Sequence, residues 1–159
     1  MDITTEILKQ PLNYDEETGI FTWVVNRGSA KKGMIAGTLS GGYMRIQICG
    51  KIYASHRLAW VFVYGVWPKN DIDHINCVKS DNRICNLREA TRSENQQNFH
   101  KAHLDSASGL LGASHYKGRW IAQIQFGGRK KYLGHFSTKE EAHTAYLIEK
   151  RKLHPFGEL

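Results

Sequence analysis

No apolar run in the 159-residue chain approaches the ~18 residues that a membrane-spanning helix needs, so no membrane partner is expected. Cysteine is scarce. Cys49, Cys77 and Cys85 form no Cys-x-x-Cys pair, and an odd count argues against a disulfide framework. Low-complexity tracts are missing as well. The opening "MDITTEILKQ" carries acids where a secretory signal has a basic region before an apolar one, so export is not expected. These absences describe a reduced, cytoplasmic protein. What is present is globular: 41% apolar and 11% aromatic residues, enough to bury a core.

Charge has one dominant sign. The formal net charge is +7, and it is uneven along the chain. Residues 1–100 carry 12 basic and 10 acidic side chains, whereas residues 101–159 carry 10 and 5. That asymmetry suggests a polyanion met mainly through the C-terminal part.

Periodicity divides the chain. "GIFTWVV" (19–25) is a β-branched and aromatic run, and "GGYMRIQICGKIYASHR" (41–57) alternates as a hairpin does, with Gly50-Lys51 as its turn. In "HRLAWVFVYG" the period becomes helical and Gly65 closes the segment. Thr91 and Glu94 have the spacing of a capping box at the start of another helix. Residues 101–108 are small and polar, and read as a linker. Beyond them a strand meander turns at Gly127-Gly128 and leads to a helix capped by Ser137 and Glu140. Along 119–126, Trp120, Ala122, Ile124 and Phe126 share an inner face; Ala142, Ala145 and Tyr146 of the helix suit its apolar side. Two domains follow, 1–100 and 109–159, in an α+β chain.

The richest chemistry lies in "DIDHINCVKSDNRICNLREATRSEN", residues 71–95. Adjacent residues on a strand point to opposite faces, so Asp73 and His74 suit a division of labour rather than joint ligation. Asp73 can bind a hard cation while His74 works as a base beside it. Asn95, in the first turns of the Thr91-capped helix, can add an amide oxygen. One carboxylate and one amide suit Mg2+ or Mn2+, one ion per site, and no structural zinc is expected. Asn76 and Asn82 read as turn residues, and His56 as packed structure.

These residues carry a resemblance. "HRLAWVF", "GVWP" and "DIDHIN…NRICNLREATRSENQQN", together spanning 56–98, resemble the HNH nuclease motif in the homing-endonuclease branch whose last His is Asn. The resemblance implies a ββα-metal fold in which Asp73 and Asn95 hold the ion and His74 activates water. Asn86 would hold the loop that orients His74. Arg88 and Arg92 would add phosphate contacts.

A second resemblance covers 109–147, "GLLGASHYKGRWIAQIQFGGRKKYLGHFSTKEEAHTAYL", which is similar to the apetala or ethylene-response-factor DNA-binding domain of plants. It implies a small three-stranded antiparallel sheet packed on one helix, with the opposite sheet face in the major groove of double-stranded DNA. Ser114, Tyr116, Arg119, Gln123, Gln125, Lys130 and Tyr132 would line that face, and Arg129 would meet phosphate. Leu111, Ser114 and Gln125 stand where plant members often have arginine, so the plant target does not transfer. Gln123 or Gln125 can instead read adenine.

The expectation is a metal-dependent DNA endonuclease of the homing type, as encoded in phage genomes and introns. Its rivals are a DNA-binding regulator that does not cut, and a structural zinc protein.

Overall fold

The computed structural model describes residues 3–98, 102 and 106–154. The chain divides into two compact units, 1–92 and 93–159. The architecture is α+β, made of small antiparallel sheets and helices. Much of the linker expected over 101–108 falls outside the described residues.

The first unit begins with a short helix, α1 (Thr5–Lys9), and a hairpin of β1 (Leu12–Asp15) and β2 (Ile20–Trp23). Alternation along the hairpin sends Leu12, Tyr14, Phe21 and Trp23 inward. A second sheet has the order β3 (Thr38–Ser40), β4 (Tyr43–Ile48), β5 (Lys51–Ala54). Its β4–β5 turn is Cys49-Gly50, one residue earlier than the sequence suggests, because Ile48 pairs with Lys51. Both turn residues have positive φ, 50° and 76°, as a tight two-residue hairpin turn demands. The chain then enters α2 (Ser55–Tyr64), which ends where Gly65 turns left-handed and donates its N–H to the Val61 carbonyl at 2.9 Å.

Two more strands, β6 (Asp71–His74) and β7 (Leu87–Ala90), pair antiparallel around the loop 75–86, which closes in a 3₁₀ turn at Ile84–Asn86. Leu8, Leu12, Ile46 and Leu58 are at most 1% exposed and share one core with Ile72 and Leu87. Cutting one such leucine to alanine costs about 2–5 kcal/mol. β6 and β7 are therefore anchored from inside by Ile72 and Leu87.

Helix α3 (Arg92–Gln97) straddles the division. The rest of the second unit is a sheet of order β10 (Arg129–Phe136), β9 (Arg119–Phe126), β8 (Ala113–Tyr116), with α4 (Lys139–Leu153) on one face. Ala113, Ala122 and Ala142 are buried where α4 meets the sheet, and their small side chains let helix and strands approach. Trp120, Leu133 and Ala145 pack around them. Phe126 was expected inside, yet at the strand end beside the glycine turn it is 49% exposed and stacks on His154.

The cap of α4 is Thr138 with Glu141, not Ser137 with Glu140. Thr138 has the extended backbone an N-cap needs, its hydroxyl accepts from Glu141 N at 3.2 Å, and the Glu141 carboxylate accepts from Thr138 N at 3.2 Å. Ser137 lies one residue outside, donating its N–H to Glu141 at 3.0 Å.

Candidate functional site

At the end of β6, Asp73 and His74 are both buried, 6% and 5% exposed. The strand register sets Asp73 opposite Arg88 and His74 opposite Leu87. Arg88 donates from Nε at 3.0 Å and from Nη2 at 2.9 Å to Asp73 Oδ2. A carboxylate this deep needs a cation close by, and Arg88, expected to meet phosphate, is engaged with it.

Loop 75–86 supplies the surroundings of His74. Asn86 ties its two ends: its Oδ1 accepts from Asn76 N at 3.0 Å, its Nδ2 donates to the Asp81 carbonyl at 2.8 Å, and its own carbonyl accepts from Ile75 N at 2.9 Å. Asn76 makes the expected turn, accepting from Val78 N at 2.9 Å. Asp81 is held by the Arg83 guanidinium, which pulls its carboxyl down to about 2.

Asn82 is no surface turn residue. It is 2% exposed, and its Oδ1 lies 3.2 Å from His74 Nε2. Two distant residues of the β1–β2 hairpin fix its place. Tyr14 donates its hydroxyl to the Asn82 carbonyl at 2.6 Å. Gly19 approaches so closely that a Cβ there would sit 2.3 Å from Arg83 N and 2.5 Å from the Asn82 carbonyl carbon. With Oδ1 as acceptor, Nε2 carries the ring proton, so Nδ1 is the basic nitrogen of His74. Sequence spacing within 71–95 holds no trace of Tyr14 or Gly19, which is why Asn82 reads there as a turn.

His56 is packed structure, as its sequence reading has it, and what it packs on is His74. The His56 ring, in the first turn of α2, meets His74 edge to face at 5.1 Å, and Tyr43 lies 5.4 Å from the one and 6.0 Å from the other. Burial, then the charges of His74 and Arg57, lowers His56 to about 4. Burial also lowers His74, against the opposing pull of its Asn82 hydrogen bond and of Asp73. Both rings are thus neutral near pH 7. Between pH 6.5 and about 4 the unfolded chain protonates His56 while the folded chain does not, so stability falls as pH drops through that window. The full shift corresponds to about 3 kcal/mol. His56→Phe should flatten this dependence in denaturant titrations run across pH 4–7; an unchanged slope would contradict the burial of this ring.

In the second unit, strand register decides which side chains share the face away from α4. Tyr116 pairs with Arg119, Gln123 with Tyr132 and Gln125 with Lys130, while Ser114 pairs with Ile121, so all seven expected residues lie on one face. Tyr116 and Tyr132 are about half exposed there. Arg129 is different. It pairs with Phe126 on the helix side, as Lys131 pairs with Ile124 and donates to Glu149 of α4 at 2.7 Å.

Asn95 and Arg92 both lie on α3, Asn95 half-buried and Arg92 exposed at its first position. The family described as HNH endonuclease matches residues 53–97. The chain therefore carries an HNH endonuclease domain running from β5 to α3, and such a domain suggests nuclease activity on nucleic acid. Neither the comparison with curated proteins nor that with solved structures gave a match.

HNH nucleases generally use a divalent metal ion. Among the described residues no group of three or more His, Cys, Asp or Glu is placed to hold one. The donors at hand are one buried carboxylate, Asp73, amid amide oxygens and two imidazoles. Few, hard oxygen donors fit Mg2+ or Mn2+, whose remaining positions go to water and phosphate. No helix among the described residues is long and apolar enough to cross a membrane.

Proposed function

We propose that the chain is a metal-dependent DNA endonuclease of the homing type, with its catalytic residues at the end of β6 and a second DNA-binding module in its C-terminal unit. The observation that carries this reading is the buried Asp73–His74 pair inside the HNH match, with the His74 tautomer set by Asn82. Asp73 and, by the sequence motif, Asn95 are the residues that would hold a single Mg2+ or Mn2+. When bound, that ion supplies stabilisation of the charge on the scissile phosphate and on the departing 3′-oxygen.

The chain's own residues do the rest. His74 Nδ1 takes a proton from water, which attacks phosphorus in line. The imidazolium so formed is favoured by the adjacent Asp73 carboxylate and keeps its Nε2–H on Asn82. Asn86 holds the loop that carries Asn82, and Arg92, exposed on α3, is a phosphate contact. Arg88 donates to Asp73 through Nε and Nη2, and with Asp73 holding an ion its guanidinium would be available to phosphate.

On the C-terminal unit, Gln123, Gln125, Lys130 and Tyr132 form the centre of the surface proposed to enter the major groove, with Ser114, Tyr116 and Arg119 beside them. Arg129, on the other face, would reach only phosphate at the hairpin tip. Two modest modules on one chain raise local concentration at a site, so neither needs high affinity alone.

The test is scission of supercoiled plasmid by the purified chain in Mg2+ or Mn2+ and its absence in chelator. A protein that binds DNA but never cuts would be the regulator, and stoichiometric zinc by elemental analysis would displace the metal assignment. Asn82→Leu should lower the cutting rate about 10–100-fold, the usual effect of removing a group that orients a site histidine. A full rate in that variant would show that Asn82 does not set the tautomer. Removing 109–159 should weaken DNA binding while metal-dependent cutting stays detectable.

A further inference from the structure

Acidic residues cluster at both ends of the first unit and leave its middle bare. The 53 residues from 18 to 70 hold seven lysines and arginines and no aspartate or glutamate. Averaging over residues 1–100 conceals this, because the carboxylates before and after nearly cancel the charge. Protein surfaces ordinarily mix the two signs, so a stretch this long with one sign is a footprint for a polyanion.

The fold gathers part of that stretch onto one open face. In the β3–β4–β5 sheet, Ile46 and Ile48 point into the core, so their neighbours Arg45 and Gln47 point out. The register sets Arg45 opposite Thr38 and Gln47 opposite Ile52, which is 65% exposed. Arg27 donates to the Gln47 carbonyl while stacking on Trp23, which brings a second guanidinium to the sheet.

This face runs straight into the catalytic residues. Tyr43 belongs to it, two residues before Arg45 on the same side of β4, and its ring is the one that meets both His56 and His74. Lys79 of loop 75–86 holds its ammonium 5.0 Å above that ring. Cations, amide and hydroxyl donors and one exposed apolar side chain thus extend from His74 across the sheet without an intervening carboxylate.

We propose that the open face of β3–β4–β5 is a second DNA-contacting surface of the chain, carrying the duplex that flanks the scissile phosphate. The inference rests on DNA being the substrate, as argued above, and adds where the nuclease unit holds it. Arg45 and Arg27 contact phosphates, and Gln47 and Thr38 face the groove. An antiparallel strand pair has the width to enter a major groove.

The test uses the full chain with His74→Ala as background, so that the probe stays intact, and a labelled mixed-sequence duplex in metal-free buffer. Arg45→Glu should weaken binding about tenfold or more and lower the salt slope by about 1, while Arg45→Lys should keep most of the affinity. Arg151→Glu, on α4, changes net charge equally and should have a much smaller effect. Hydroxyl-radical footprints should shorten in Arg45→Glu. Unchanged affinity and footprint in Arg45→Glu would overturn the proposal, as would an equal loss in Arg151→Glu, which would mark a bulk charge effect. Because binding is read without cutting, the two ideas fail separately. A plasmid never cut, with binding still sensitive to Arg45, removes the nuclease reading and keeps this surface. A plasmid cut by a protein whose binding ignores Arg45 does the reverse.

Discussion

Replacing His74 with alanine should lower DNA cleavage by a factor of about 10²–10⁴, the share a positioned general base contributes, while leaving metal-free DNA binding intact. The size of the effect follows from how the ring is held. His74 is 5% exposed, its Nε2 is engaged by Asn82, and burial keeps it neutral. A neutral imidazole with a fixed tautomer is a base; a mobile or protonated one is not. Alanine also removes packing against His56 and Tyr43, so a melting curve has to accompany the rate. A variant that melts near the wild type, binds DNA and does not cut assigns the loss to chemistry. A variant that still cuts at the wild-type rate would remove His74 from the mechanism.

The second large effect is structural. Gly112→Ala should unfold the C-terminal unit or nearly so. Gly112 has φ 71°, and a Cβ there would stand 2.0 Å from Cδ2 and 2.1 Å from Cγ of Tyr146. Tyr146 is 9% exposed, so its ring is held among its neighbours. Left-handed strain costs about 1–2 kcal/mol for a residue with a side chain, and overpacking adds about 1–3. A unit of this size has only a few kcal/mol to lose. Limited proteolysis should therefore clip 109–159 in the variant and spare the chain up to α3, and DNA affinity should fall while metal-dependent cutting persists. Wild-type resistance of both units would contradict the close contact between Gly112 and Tyr146.

Much of the fold was legible because local pattern and burial agree. Ile46 and Ile48 alternate with Arg45 and Gln47, Gly65 ends α2, and the β9–β10 turn is the expected glycine pair. Register alone then put Gln123, Gln125, Lys130 and Tyr132 on one face, because paired residues of antiparallel strands share a side. Errors came where two nearby residues competed for one role. Ser137 and Thr138 each have a glutamate three residues on, and only the backbone decides which one caps. Cys49-Gly50 beat Gly50-Lys51 because the β4–β5 register, not the glycine, fixes the turn.

The candidate site was less legible than the fold. Asp73 and His74 stand side by side in one short motif where a reading of the residues reaches them, and Asn86 comes from the resemblance alone. Asn82 acquires its position from Tyr14 and Gly19, more than 60 residues earlier, and His56 from a helix packed beside the motif. Contacts of that range leave no periodic signal. The acid-free stretch was open to counting all along, and dividing the chain into halves hid it.

The most direct measurement of the central claim is the state of a supercoiled plasmid after incubation with the full chain and Mg2+ or Mn2+, followed by DNA ligase. Hydrolysis with His74 as base and the 3′-oxygen as leaving group predicts nicked or linear product in metal, none in chelator, and strand ends that ligase reseals because they are 5′-phosphate and 3′-hydroxyl. Plasmid that stays supercoiled with either ion, or ends that ligase cannot join, would contradict it.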